Sequence, residues 1–394
     1  MAQNPDYTAP LATALGEAEA AIRSAPFVRT NADVAEGMEY LQWALRGVLE
    51  GRQHVSRSHP GMFEATGPYT KMGLDNPDTI YHYAHLVEGA EYLVEGYRGT
   101  TADLAFQVLA GTYSADERAG SQVAFDDREL TIADDGTYSF RLGPPRADAG
   151  ADYFALQPGS TMLSVREVFS DWTREEVGWS TLRRLDTEGT APEPVGPESM
   201  RNFYEKVARG LTARIETWLA FPKWFFGDQE RNTFCPPRMT PGGLTTQNSS
   251  SGVFELSPHE AMIISVPDSG APYQGFQLGS MWYVSLDYIH HQTSLTSSQA
   301  LRTSDGLFHF VVSERNPQIA NWVETLGRRE GIMQFRWQHL DGPVPPEKGP
   351  KLQIVPFDEV LDHLPCADEL AVDDEQWRAR IAERQRAFAR RLRS

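Results

Sequence analysis

Two short stretches of this chain concentrate side chains that can move protons. The first is Asp75-Asn76-Pro77-Asp78-Thr79-Ile80-Tyr81-His82-Tyr83-Ala84-His85. Asn-Pro-Asp is turn chemistry, and the residues that follow read as a strand. Alternation along that strand puts Tyr81, Tyr83 and His85 on one face and His82 and Ala84 on the other. The two histidines therefore point apart and do not chelate one metal. Asn76, Asp78, Tyr81, Tyr83 and His85 are the candidate ligand contacts here; the plainer alternative is a Tyr/His ladder on a half-buried sheet.

The second stretch is Trp282-Tyr283-Val284-Ser285-Leu286-Asp287-Tyr288-Ile289-His290-His291-Gln292-Thr293-Ser294. It is dense in hydrogen-bonding groups and poor in charge, the composition of a polar pocket floor. On a strand, Asp287, Ile289 and His291 share one face and Tyr288, His290 and Gln292 the other. Residues i and i+4 on a strand lie about 13 Å apart, so Asp–His cooperation requires a turn near His290. The pattern predicts a histidine general base, His290 or His291, oriented by Asp287 or Tyr288, because imidazole titrates near neutrality. At most one of the two enters a cavity. Trp282, Tyr283, Gln292, Ser294 and the distant Trp322 are the expected substrate contacts. The same polar groups alternatively satisfy loop backbone amides. A metal held by Asp287, His290 and His291 is disfavoured, because adjacent histidines on a strand diverge.

No H-E-x-x-H, G-x-S-x-G, P-loop or G-x-G-x-x-G pattern occurs, so the expectation is chemistry without a nucleotide cofactor or metal. The aromatic supply around the His/Asp groups (Tyr81, Tyr83, Trp282, Tyr283, Tyr288) points to an uncharged, largely apolar small molecule. Hydrolysis, or addition and elimination of water, is the expected reaction type; a non-catalytic binding protein using the same pocket is the alternative. Ser249-Ser250-Ser251 reads as a flexible connection. Arg166 and Arg336, each flanked by apolar residues, read as structural, each paired with a buried carboxylate.

The elements that must position these groups repeat. Shifted by 170 residues, Gly73-Leu74 falls on Gly243-Leu244, Phe106-Gln107 on Phe276-Gln277, Asp135-Gly136 on Asp305-Gly306, and Arg166 on Arg336. Asp-Gly between alternating flanks is a hairpin signal in both copies. Apolar spacing predicts helices over 11–24, 32–52 and 199–220, with Pro222 ending the third. Short strand signals follow each of the last two helices, at 79–87, 92–96, 104–109, 129–142 and 162–169, then at 252–256, 261–266, 275–286, 299–312 and 332–340. The expected fold is mainly β (α+β), with two antiparallel β-sandwich or jelly-roll modules related by internal duplication. Each is preceded by a helix, and a C-terminal helix follows. The expected boundaries are 1–30 for a helical extension, 31–185 for the first module, 186–198 for a linker, 199–356 for the second module and 357–394 for a helical tail.

Asn76-Pro77-Asp78-Thr79-Ile80-Tyr81, Gly275-Phe276-Gln277-Leu278, Ser285-Leu286-Asp287-Tyr288 and Gln292-Thr293-Ser294-Leu295 carry a further signal, with Asn321-Trp322 and Arg329-Glu330-Gly331. In these motifs the chain resembles the domain-of-unknown-function 1214 family, with an upstream module like that of the domain-of-unknown-function 1254 family. The resemblance spans roughly residues 70–345. It implies a two-domain, β-rich fold with helical additions and no established reaction.

The chain has 394 residues and a net charge of -18, which opposes nucleic acid and anionic membrane partners. The basic exception is residues 378–393, with seven arginines and an apolar stripe of Trp377, Ile381, Phe388 and Leu392. This reads as a helix docked on the body with its arginines facing acidic surface or solvent. Cys235 and Cys366 make no disulfide framework. No secretory pattern and no apolar run of about 18–20 residues occurs, so a cytoplasmic location is expected. A homo-oligomer remains compatible with the sequence.

Overall fold

The computed structural model describes residues 6–52, 57–111, 120–239, 244 and 246–391. The chain is mainly β, an α+β fold of sandwich type. Helices α1 (Ala9–Arg23) and α2 (Asn31–Glu50) come first. Strands β1 (Thr79–His85), β2 (Tyr92–Tyr97), β3 (Asp103–Ala110), β4 (Gly120–Asp126), β5 (Thr137–Gly143), β6 (Tyr153–Ala155), β7 (Ser160–Val168) and β8 (Trp179–Arg184) form the first module. Helix α3 (Pro197–Phe226) leads into the second, made of β9 (Arg238–Met239), β10 (Asn248–Glu255), β11 (Glu260–Pro267), β12 (Tyr273–Gly279), β13 (Ser294–Thr296), β14 (Leu307–Ser313), β15 (Trp322–Glu324), β16 (Glu330–Gln338) and β17 (Lys351–Pro356). Two short helices, α4 (Val360–His363) and α5 (Ala367–Leu370), and the long α6 (Asp374–Arg391) close the chain.

The modules share one topology. Sheet order β1-β7-β3-β4 in the first matches β10-β16-β12-β13 in the second, and β6-β5-β2-β8 matches β15-β14-β11-β17. Register is kept between the central pairs β3/β7 and β12/β16: Phe106 pairs with Val165 and Phe276 with Phe335, both 170 positions on, whereas β10 is shifted by two residues on β16 relative to β1 on β7. Pairing is antiparallel except for one parallel edge pair in each module, β5/β6 and β14/β15. Gly136 and Gly306 both sit at φ 83°, at equivalent hairpin tips. The Asp before each accepts the amide two residues on, from Thr137 and Leu307, at 3.0 Å in both copies. Gly243, half of one repeated dipeptide, lies outside the described residues.

Apolar residues at alternate positions fill each sandwich. Phe106 meets Phe140 edge-on at 5.0 Å in the first, and their repeat mates Phe276 and Phe310 lie 5.4 Å apart in the second. The opposite faces of β3 and β12 are buried too, so both strands are covered on two sides. A polar junction between the modules buries them.

The helices form one layer. A Thr30/Asp33 capping box starts α2, and its buried Tyr40, Leu41 and Ala44 join Leu211, Ile215 and Trp218 of α3 in a cluster shared with α1. Rather than serving one module each, the helices lie together over the junction. Pro222 does not end α3, which runs on to Phe226. One backbone hydrogen bond is lost there, and the burial of Trp218, Phe221 and Phe226 offsets it. No helix among the described residues is long and apolar enough to cross a membrane.

The tail helix α6 is docked, with Ala387 and Phe388 buried against Phe169, Trp172 and Tyr288. Trp377 lies 4.9 Å from Trp322, ring to ring. Two of its arginines correct the expectation. Arg384 and Arg391 are buried on the apolar stripe instead of facing outward. Arg384 donates to Tyr288 O, Ser294 O and Ser294 Oγ, and Arg391 to Pro77 O. Carbonyls left unpaired by irregular backbone accept these donors, which is why charge is tolerated inside. Leu392 lies outside the described residues.

Candidate functional site

A cavity of about 330 Å³ opens at the junction, under α2 and α3 and between β1/β7 of one module and β16 of the other. The β1 wall is the face read from alternation: Tyr81, Tyr83 and His85 all line it, whereas Ala84 points into the sandwich core. Tyr83 donates its hydroxyl to Thr66 Oγ1 at 3.1 Å, and Tyr81 accepts the Asn76 amide at 3.0 Å. His85 is buried, stacked on Phe63 at 5.2 Å, with Nε2 2.6 Å from Gly51 O. That carbonyl fixes the proton on Nε2 and leaves Nδ1 as the basic nitrogen. Burial pulls the imidazole below its usual range, so the ring is neutral at pH 7.

Arg166 on β7 and Arg336 on β16 also line the cavity. Neither has a carboxylate partner among the described residues, against the expectation of buried ion pairs. Arg336 donates to Gln277 Oε1 and to Leu74 O. Arg166 lies over the Tyr81 ring at 5.8 Å, and its Nε has no hydrogen-bond partner among the described residues. Arg214 of α3 is buried, with Nη2 on Thr70 O and Lys71 O. Arg52 and Arg57 complete a set of five arginines against one carboxylate, Asp75. Asp75 itself is taken, accepting Ser285 N at 3.0 Å and Ser285 Oγ at 2.7 Å. The cavity is electropositive inside a strongly acidic protein. Phe63, Met72, Leu109, Met162, Trp218 and Phe221 make much of the remaining wall apolar, beside the polar Thr66, Thr161, Gln247 and Gln334.

Backbone strain gathers at the rim. Leu74 and Tyr283 both have positive φ, 50° and 58°, and Leu74 N donates to Tyr283 O at 2.6 Å. Such conformations cost of order 1 kcal/mol or more for residues with a side chain. Tyr283 is held by stacking on Trp218 at 5.7 Å and by Phe221 at 4.5 Å.

Of the second stretch, only Tyr283 reaches the cavity. Residues 287–291 form turns rather than a strand. Asp287 caps the turn, accepting Ile289 N and His290 N, and its second oxygen lies 2.9 Å from His290 Nδ1. His290 is 63% exposed, and His291, 44% exposed, pairs with Glu324 at 2.9 Å. Neither lines this cavity. Tyr288 packs against Trp172 and Phe388. Trp282 is buried under α2 beside Phe27 and Tyr40. Gln292 donates to Ala320 O and Trp322 O, Ser294 holds Arg384, and Trp322 donates to Ser313 O. Asp287 thus satisfies loop amides, Gln292 and Trp322 satisfy loop carbonyls, and Ser294 Oγ accepts from the Arg384 side chain.

Asn76 and Asp78 sit behind the cavity in the junction. Tyr273 OH donates to Asp78 Oδ2 at 2.8 Å, Trp172 Nε1 to Asp78 Oδ1 at 2.8 Å, and Asn76 Nδ2 to Tyr273 OH at 3.0 Å. They weld the modules together.

No family model and no curated protein matches this chain. A solved structure of an uncharacterized protein from Burkholderia cenocepacia is similar over 89% of this chain and 97% of its own, at 27% identity and a TM-score of 0.79. The VPA0106 protein from Vibrio parahaemolyticus aligns over 83% of this chain and all of its own, at 11% identity and a TM-score of 0.45. The first likeness extends through both modules, so the two-module fold recurs in that protein.

Proposed function

We propose that the junction cavity binds an organic anion, a carboxylate or similar group on an aromatic or aliphatic body. The observation that carries this is Arg166, a guanidinium in the cavity wall with an unpartnered Nε and no carboxylate partner among the described residues. Arg214 and Arg336 already spend donors on protein oxygens, but a neutral ligand would leave Arg166 poorly satisfied in a wall of five arginines and one committed aspartate, whereas a carboxylate accepts a guanidinium bidentately. The uncharged ligand expected from the aromatic content is therefore replaced by an anionic one. The apolar wall accounts for the body of the molecule, and the volume suits a ligand of one or two rings. Thermal-shift titration with 2-naphthoate and with its neutral isostere 2-naphthamide tests the reading. A rise in melting temperature with the acid alone supports it; equal shifts, or none, reject it.

A catalytic version rests on His85. A neutral imidazole with no partner on Nδ1 among the described residues, set in the same wall as the arginines, is equipped to accept a proton from a bound acid's neighbouring carbon or from water. In this version the arginines hold and polarise the anion, and His85 takes the place expected for His290 or His291.

A further inference from the structure

We propose that Asp103, Asp127 and His339 form a binding site for one divalent transition-metal ion at the junction between the modules. Asp103 opens β3, Asp127 follows β4, and His339 follows β16 of the other module. One ligand atom from each lies within 4.8 Å of the others. His339 Nδ1 is 3.4 Å from Asp103 Oδ1 and 3.8 Å from Asp127 Oδ1. A tetrahedral ion bound at about 2.1 Å holds its donors roughly 3.4 Å apart, so the spacing fits with little adjustment.

The second, independent observation is what these atoms lack. Asp103 is 0% exposed, yet neither of its carboxylate oxygens has a hydrogen-bond partner among the described residues. Asp127 Oδ1 and His339 Nδ1 are buried without one as well. Three ligating atoms, one from each residue, thus face one another without hydrogen bonds among the described residues, and buried polar atoms are rarely left so. Asp127 is also oriented: its other oxygen accepts Arg98 Nε at 2.5 Å, which turns Oδ1 toward the cluster. His339 adopts a left-handed backbone at φ 59°, a cost borne where a side chain must be aimed. Arg128 nearby pairs with Asp126 at 2.6 Å and lies 3.5 Å from Asp341. One imidazole and two carboxylates suit Zn²⁺ or Mn²⁺ and leave positions open for water. The site breaks the repeat, since the positions 170 residues away are Tyr273, Ser297 and Phe169, none of them a comparable ligand.

The test is calorimetric titration of the full chain, free of affinity tag and treated with chelator, with Zn²⁺ and separately with Mn²⁺. One ion per chain is expected, with affinity at least ~10²-fold weaker in Asp103→Asn and in His339→Gln. Near-UV circular dichroism identifies the variants that keep the fold. Anomalous scattering from a metal-soaked crystal gives a readout independent of substitution, a peak between the three side chains. No binding by the wild-type chain, equal binding by folded variants, or a peak elsewhere overturns the proposal.

Discussion

Arg166 and Arg336 occupy the same position in the two copies of the repeat, 170 residues apart, and both reach one cavity. Duplication has thus supplied two guanidinium groups to a single site. Their flanks differ: Tyr81 and Ala105 pair beside Arg166, Ser249 and Gly275 beside Arg336. Their roles differ accordingly. Arg336 ties down Leu74 O and Gln277, whereas Arg166 makes no such tie among the described residues. Arg336→Met should therefore lower stability by about 1–3 kcal/mol, because it strands buried acceptors. Arg166→Met should leave stability within about 0.5 kcal/mol of wild type. Urea denaturation of both variants measures this, and equal losses would contradict the division of labour.

The histidines sort by exposure. His290→Gln and His291→Gln should change neither naphthoate binding nor turnover of any substrate later found. Their stability should stay within about 0.5 kcal/mol of wild type. His85→Gln should retain binding and, if the catalytic version holds, cut turnover by at least ~10²-fold. Loss of activity in the exposed pair with full activity in His85→Gln would reverse this assignment.

Glu167 gives a pH signature. It accepts Gly178 N at 2.6 Å, and burial pushes its carboxyl up to about 7. In the unfolded chain a glutamate titrates near about 4.3. Between those values the folded state holds the extra proton, so this group's contribution to stability falls as pH rises from 4.3 through 7 and is flat above. Glu167→Gln removes the slope. The stability of the variant relative to wild type should rise by on the order of 3 kcal/mol from pH 4.5 to 8. A difference independent of pH would count against it.

The tail is part of the body. Phe388 is 3% exposed within a cluster that includes Trp172 and Tyr288. Phe388→Ala should cost about 3–5 kcal/mol and lower the melting temperature measurably. An unchanged melting temperature would mean that α6 is a free arm.

Much of this was legible in the residues. The Asp-Gly tips, the 170-residue offset and the in-phase apolar positions specify the sandwiches, because local turn chemistry and period-2 burial suffice for them. The Tyr81–Tyr83–His85 wall follows from the same alternation. The second stretch misled because polar density marks satisfied irregular backbone as well as a pocket. Gln292 and Ser294 bond to neighbouring loops and to α6, contacts with no local signature. Arg166 and Arg336 misled for a related reason. Their apolar neighbours Val165 and Phe335 face the cores, while the guanidinium phase faces a junction that exists only after the modules meet. Two arginines at matching positions, out of phase with the core residues, were the available signal. Pro222 was overridden by tertiary packing of the aromatic face of α3.

Recognition of an anion in the junction cavity falls to Arg166. Calorimetry with 2-naphthoate and 2-naphthamide, on wild type and Arg166→Met, measures it most directly. Wild type should bind the acid at least ~10-fold more tightly than the amide, and the substitution should erase that preference while leaving the amide's affinity unchanged. Equal affinity for acid and amide in wild type, or an undiminished preference in Arg166→Met, would contradict the account.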